Sequence, residues 1–122
     1  MTRDDLFYIA GLLEGEGCFT WQRCSRNGKD ISYGGVLIDV KMVDKDIIDR
    51  YRQIVGATAN QQKHKPSTPN SQTQYGQRIS GHAAASLMRE LLPLMGVRRS
   101  NRIRFLLEKW DNRPAAKKKK GG

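Results

Sequence analysis

The sequence has two cysteines, no long apolar run and few acids to set against its bases. Cys18 and Cys24 cannot build a disulfide framework. With His64 and His82 far off in the chain, they do not make a four-ligand zinc site either. They read as free thiols. No stretch reaches the roughly eighteen consecutive apolar residues of a membrane span, and the N-terminus has neither the charged nor the apolar region of a signal peptide. A soluble intracellular protein, with no membrane partner, is expected. At 122 residues and 38% hydrophobic content there is material for one packed core and not for two. The expected organisation is one domain over residues 1–112 and a basic tail over 113–122, which is expected to be disordered.

Positive charge is plentiful. Lys and Arg number 22 against 12 Asp and Glu; with Lys117 to Lys120 set aside, 18 bases remain and the body is still basic. A polyanionic partner fits such a balance, nucleic acid first. Charge alone selects a class of partner and nothing finer. The terminal "KKKKGG" is either a source of salt-sensitive phosphate affinity or a solubilising tail.

Thr2 with Asp5 three residues on is a helix-start signature, and Asp4 and Asp5 suit the positive helix end. A first helix is predicted from about Arg3 to Gly15. Its middle, "LFYIAGLL", is apolar all round, so burial on two sides is expected. Gly11 and Gly15 share one edge, where a second helix can come close; Ile9, Leu12 and Leu13 lie opposite. "CFTWQRCSR" then alternates, with Phe19 and Trp21 on one face and Thr20, Gln22, Cys24 and Arg26 on the other. Asn27-Gly28 is a hairpin turn. The returning strand sends Val36, Ile38, Val40 and Met42 inward and Leu37, Asp39 and Lys41 outward.

Asp44 opens a second helix with Ile47, Ile48, Tyr51, Ile54 and Val55 at helical spacing, and Gly56 ends it. Residues 57–65 read as a weaker polar strand, "KPSTPNSQ" as a loop and "TQYGQRIS" as a fourth strand. A third helix runs from Ser80 or Gly81 to before Pro93, and a last one from about Ser100 to Trp110. This order predicts an α+β single domain, a four-stranded antiparallel sheet with helices on one face, of αββαββα type. The other face collects Gln22, Arg26, Lys41, Gln61, Lys63, Gln74 and Arg78. It is either a solvated sheet face or a ribbon of long hydrogen-bonding side chains for a DNA major groove.

One stretch fits no routine structural need. In "GLLEGEG" the acids Glu14 and Glu16 fall at the C-terminal end of the first helix, where the dipole and free carbonyls disfavour carboxylates by up to about 1 kcal/mol each. Something positive has to compensate them, either a nearby Lys or Arg or a divalent cation. Mg²⁺ sites commonly need only one or two carboxylates, because water and phosphate oxygens complete the shell.

"YIAGLLEGEGCF" resembles the motif of the LAGLIDADG homing endonucleases, with "IAGLLEGEG" matching it position for position. "VDKD", "YGQRISG" and "LLPLMGVRRSNR" are similar to the corresponding family segments, so the resemblance runs along the chain to about Asn112. It implies a site-specific DNA endonuclease making a metal-dependent double-strand break in a long pseudo-palindromic target. Because only one motif is present, it implies a homodimer in which Tyr8, Gly11, Gly15 and Glu14 lie at the helix interface. Glu16 would be the catalytic acid and, with the Gly15 carbonyl, a ligand of Mg²⁺. Arg98 would be the basic residue stabilising charge on the phosphate, with Arg99 beside it on the DNA. Thr20, Gln22, Arg26, Asp39, Lys41, Gln61, Lys63, Gln74 and Arg78 would contact double-stranded DNA. The family's frequent Gln at the end of the second strand, which orders water, is replaced here by Met42. The alternative on the same fold is an intron RNA maturase or a non-cleaving DNA-binding protein, and the presence of Glu16 speaks against the latter.

Overall fold

Thr2 starts the fold. Its hydroxyl accepts from the Asp5 amide at 3.0 Å and the Asp5 carboxylate accepts from the Thr2 amide at 3.2 Å. That reciprocal box opens helix α1, Arg3–Glu16. The computed structural model describes residues 1–26, 29–56, 62–64 and 72–113. Strand β1, Gly17–Arg26, follows α1 with no intervening loop, and β2, Lys29–Met42, returns beside it. Helix α2 is Lys45–Val55, closed by Gly56 in the left-handed region (φ 67°), where a side chain would be strained. Strands β3, Gln62–His64, and β4, Gln74–Ser80, precede helix α3, Gly81–Leu91, a 3-10 turn over Leu92–Leu94 and helix α4, Val97–Asp111.

The four strands form one antiparallel sheet in the order β1-β2-β4-β3. Its inward rows are set by period-two alternation: Phe19 opposite Ile38 opposite Ile79, and Val40 opposite Gln77. Against them pack Ile9 and Leu13 of α1, Ile48 and Tyr51 of α2, Ala84, Met88 and Leu91 of α3, and Ile103 and Leu106 of α4, all buried. The core therefore lies between one sheet face and the helices, as the strand and helix patterns predicted. Gln77 is buried among these residues and accepts from the Arg52 guanidinium at 2.6 Å. The Tyr51 hydroxyl is buried without a partner; burial pushes its phenol above the ordinary range, and the nearby Asp39 carboxylate adds to this.

Two boundaries differ from the sequence-based expectation. Helix α4 begins at Val97, not near Ser100, because Gly96 adopts the extended N-cap conformation and its carbonyl accepts from the Ser100 amide at 2.8 Å. Arg98 and Arg99 thus occupy the first helical turn. In β3, Lys63 pairs with Tyr75, while Gln62 and His64 pair with Gly76 and Gln74. Tyr75 lies two residues from Gln77 and shares its inward face, so Lys63 sits on the helix side of the sheet edge. Gln62 and His64 take the outward positions expected for Gln61 and Lys63. An all-polar edge strand carries no apolar alternation to fix its register. Gln61 lies outside the described residues.

Helix α1 buries one side only in the single chain: Ile9, Ala10 and Leu13 face the core. On the other side Phe7 is 46% exposed and both Gly11 and Gly15 are open. A Cβ placed on either glycine would meet nothing within 4 Å.

Candidate functional site

The last carbonyls of α1 and the first amides of α4 are the groups a helix cannot satisfy internally. Here each helix end is closed by the other. Arg99 of α4 donates from Nε to the Glu14 carbonyl at 2.9 Å and from Nη1 to the Gly17 carbonyl at 2.6 Å. Glu14 of α1 reaches back, its Oε1 accepting from the Gly96 amide at 2.8 Å, with Oε2 at 3.7 Å from the Arg99 Nε. A cation thus covers the negative end of α1 and a carboxylate the positive end of α4. Glu14 has the positive partner that its position demanded.

This clamp has a measurable weight. Arg99 is 18% exposed, so little solvent screens its bonds. Hydrogen bonds from charged groups contribute about 1.5–3 kcal/mol. Arg99→Met is therefore expected to lower Tm by roughly 5–10 °C in a thermal melt, and Glu16→Gln to leave it unchanged. Equal melting of Arg99→Met and the parent would remove the clamp from the account of stability.

Glu16, two residues on, is different. It ends α1, is exposed, and its carboxylate has no hydrogen-bond or ion-pair partner among the described residues. The next residues, Gly17, Cys18 and Phe19, line an open cavity of about 380 Å³ whose other wall is Arg98, Arg99 and Arg102 of α4. Arg102 donates from Nε to the Phe19 carbonyl at 3.0 Å. Arg98 is exposed with no partner among the described residues, so a basic wall with one uncommitted guanidinium rises beside the helix end bearing the uncommitted acid. Such a pairing suits a phosphate and the cation that accompanies it.

Among the described residues no three His, Cys, Asp or Glu side chains gather to hold a metal. One chain offers the Glu16 carboxylate and the Gly15 carbonyl nearby in sequence. That donor set fits Mg²⁺, which keeps several waters and takes phosphate oxygens, when a second chain supplies the same pair.

On the outward sheet face the ladder fixes successive rows: Thr20 and Ser80 flank Leu37, Cys18 and Arg78 flank Asp39, Lys41 and Gln62 flank Gly76, and Gln74 stands beside His64. Gln22 lies farther out on β1, opposite Gly35. Thr20, Gln22, Asp39, Lys41, Gln74 and Arg78 are thus together on one face. Arg26 pairs with Lys29 at the hairpin end of β1. Arg99, grouped with DNA contacts on its sequence position, instead has two of its nitrogens engaged in the clamp. Tyr8, expected at a helix interface, is half-buried with the Arg50 guanidinium 4.0 Å from its ring centre. The sequence reading missed Cys18 and Arg102 as cavity residues. Arg99 and Arg102 are one helical turn apart, a spacing that reveals their shared direction once α4 is known to start at Val97.

No protein-family model matches the sequence, and no curated protein matches it either. Solved structures do. Homing endonuclease I-CvuI, in complex with its target, superposes with a TM-score of 0.64 over 90% of this chain and 69% of its own, at 16% identity. The archaeal intron-encoded homing endonuclease I-Vdi141I, complexed with DNA, gives a TM-score of 0.66 over 88% of this chain and 67% of its own, at 14% identity. LAGLIDADG homing endonuclease I-GzeII, in complex with a DNA target, gives 0.61 over 87% of this chain and 36% of its own, at 11% identity. At such identities the shared property is architecture: this chain has the fold of the LAGLIDADG homing endonucleases.

Proposed function

We propose that the chain is a site-specific DNA endonuclease that acts as a homodimer and makes a Mg²⁺-dependent double-strand break in a long pseudo-palindromic target. The observation that carries this reading is the uncommitted Glu16 carboxylate, on a helix whose Gly11 and Gly15 edge is open, beside the basic wall of Arg98. The solved neighbours in complex with DNA support the same direction. Two copies meeting along that helix edge bring two Glu16 side chains and two Gly15 carbonyls to one place.

Mg²⁺ held there supplies Lewis-acid stabilisation of phosphate charge and lowers the pKa of water. The chain's own residues do the rest. Glu16 presents the charge that retains the cation, Arg98 offsets charge growing on the phosphate, and the clamp of Glu14 with Arg99 fixes the turn carrying Glu16. The outward sheet face, repeated by the two-fold axis, reads two half-sites. No described helix is long and apolar enough to cross a membrane.

The test uses duplex DNA spanning the joined flanks of the gene's own insertion site. With Mg²⁺ the full chain is expected to leave 5′ phosphates and four-base 3′ overhangs, and a chelator is expected to stop the reaction. An uncut duplex, together with tight binding of the surrounding intron RNA, would replace this reading with a maturase role.

A further inference from the structure

Asp39 is the one acid among the described residues of the outward face's ladder rows, in the middle of the sheet, where phosphate repulsion would be felt. We infer that Asp39 is a positioning residue: it holds the Arg78 guanidinium for donation to a guanine at one fixed position in each DNA half-site. This rests on the proposed reading that the outward sheet face meets DNA.

Three observations carry it. Asp39 and Arg78 are direct cross-strand partners in the two central strands, with the Arg78 Nε 3.6 Å from the Asp39 Oδ2. Their side chains are 20% and 48% exposed, so the carboxylate is recessed and the guanidinium stands clear of it. Along β4 the same-face neighbours of Arg78 are Gly76 and Ser80. Both are small, so the long side chain rises between low points of the surface. A base edge can reach its tip there before meeting any other side chain of that strand.

Stability does not explain the pair. A half-exposed ion pair at this separation contributes little, and the other carboxylate oxygen, Asp39 Oδ1, is buried without a partner, which is unfavourable. Lys41 stands two residues along β2 on the same face, and the buried Tyr51 hydroxyl nearby is neutral, kept protonated by its burial and by Asp39. Neither relieves that oxygen. What the pair does supply is direction. An arginine free on a flat face samples many rotamers and favours phosphates, whereas one drawn to a carboxylate on its Nε side, here at ion-pair distance, turns its outer nitrogens outward as a planar fork. Guanine alone among the bases offers two acceptors, N7 and O6, to such a fork in the major groove.

The experiment selects bound sequences from a fully randomised 30-base-pair duplex library with the full chain and sequences them. The parent protein is expected to show one guanine per half-site that depends on Arg78. Arg78→Ala should lose that preference about tenfold or more while the rest of the profile stays. Asp39→Asn should fold normally and bind with equal or higher total affinity, yet blur the same position. Arg78→Lys should not restore it. If Arg78→Ala instead weakens all sequences equally, Arg78 contacts phosphate and the inference fails alone. An unchanged profile for Asp39→Asn removes its positioning role. If the parent enriches no sequence at all, the DNA-reading function falls together with it.

Discussion

Glu16→Gln is expected to bind its target duplex as tightly as the parent and to cut it at least about 100-fold more slowly. Removing residues that merely orient a metal ligand costs about 10–100-fold in affinity or activity, so neutralising a ligand itself starts at the top of that range. The substitution keeps the size of the side chain and takes away one charge per subunit. Glu16 is exposed and has no partner among the described residues, so folding should be untouched. Binding should hold or strengthen slightly, because a negative charge leaves a basic surface. The measurement is single-turnover cleavage beside a gel-shift titration in Ca²⁺. Loss of binding in step with cleavage would make Glu16 a DNA-contact or folding residue, and full cleavage would take it out of the chemistry.

The second large effect has opposite signs in the chain and in the assembly. Gly11→Leu with Gly15→Leu places side chains where nothing lies within 4 Å of a new Cβ. Glycine costs roughly 0.5–1 kcal/mol in a helix interior relative to better helix formers. The single chain should therefore melt no lower than the parent, and up to about 5 °C higher. In a dimer packed through that edge the same leucines collide. Overpacking costs about 1–3 kcal/mol for each position. Four such positions across a two-fold axis weaken association by about a thousandfold or more. Sedimentation with and without target DNA reads the assembly, and the cleavage assay reads its consequence. The Gly15 carbonyl is main chain and survives the change, so lost cutting would trace to lost pairing. A variant that still sediments as a dimer and still cuts would move the interface away from α1.

The regular parts of the fold were legible because each carried its own local signal. The box at Thr2 and Asp5, the alternation through Phe19, Ile38 and Val40, and the helical spacing of Ile48 and Tyr51 each act within a few residues. The start of α4 was not, because glycine is a weak cap signal and two arginines suit a helix N-terminus poorly. Glu14 makes that start tolerable from 82 residues away, capping the Gly96 amide. The β3 register was hidden for a related reason: Gln62, Lys63 and His64 are all polar, so burial does not choose between the two faces. At the site, the need of an acid at the end of α1 for a positive partner was readable from the helix dipole, whereas the identity of that partner of Glu14 was not. A contact between chain ends leaves no trace in local spacing. Cys18 and Arg102 went unnoticed on the same account, since only the docking of α4 on β1 makes them neighbours.

The bonds from Arg99 and Arg102 also decide where the sheet stops. β1 is an outer strand, and alternate carbonyls along its free side would ordinarily invite a further strand from another chain. The carbonyls of Gly17 and Phe19 are already taken, by two guanidinium groups one helical turn apart on α4. At that end a strand cannot dock without first evicting them. That end of β1 is thereby closed to the edge-to-edge joining that leads to open-ended stacking. The proposed dimer uses the helix edge instead, and a two-fold contact of that kind closes after two.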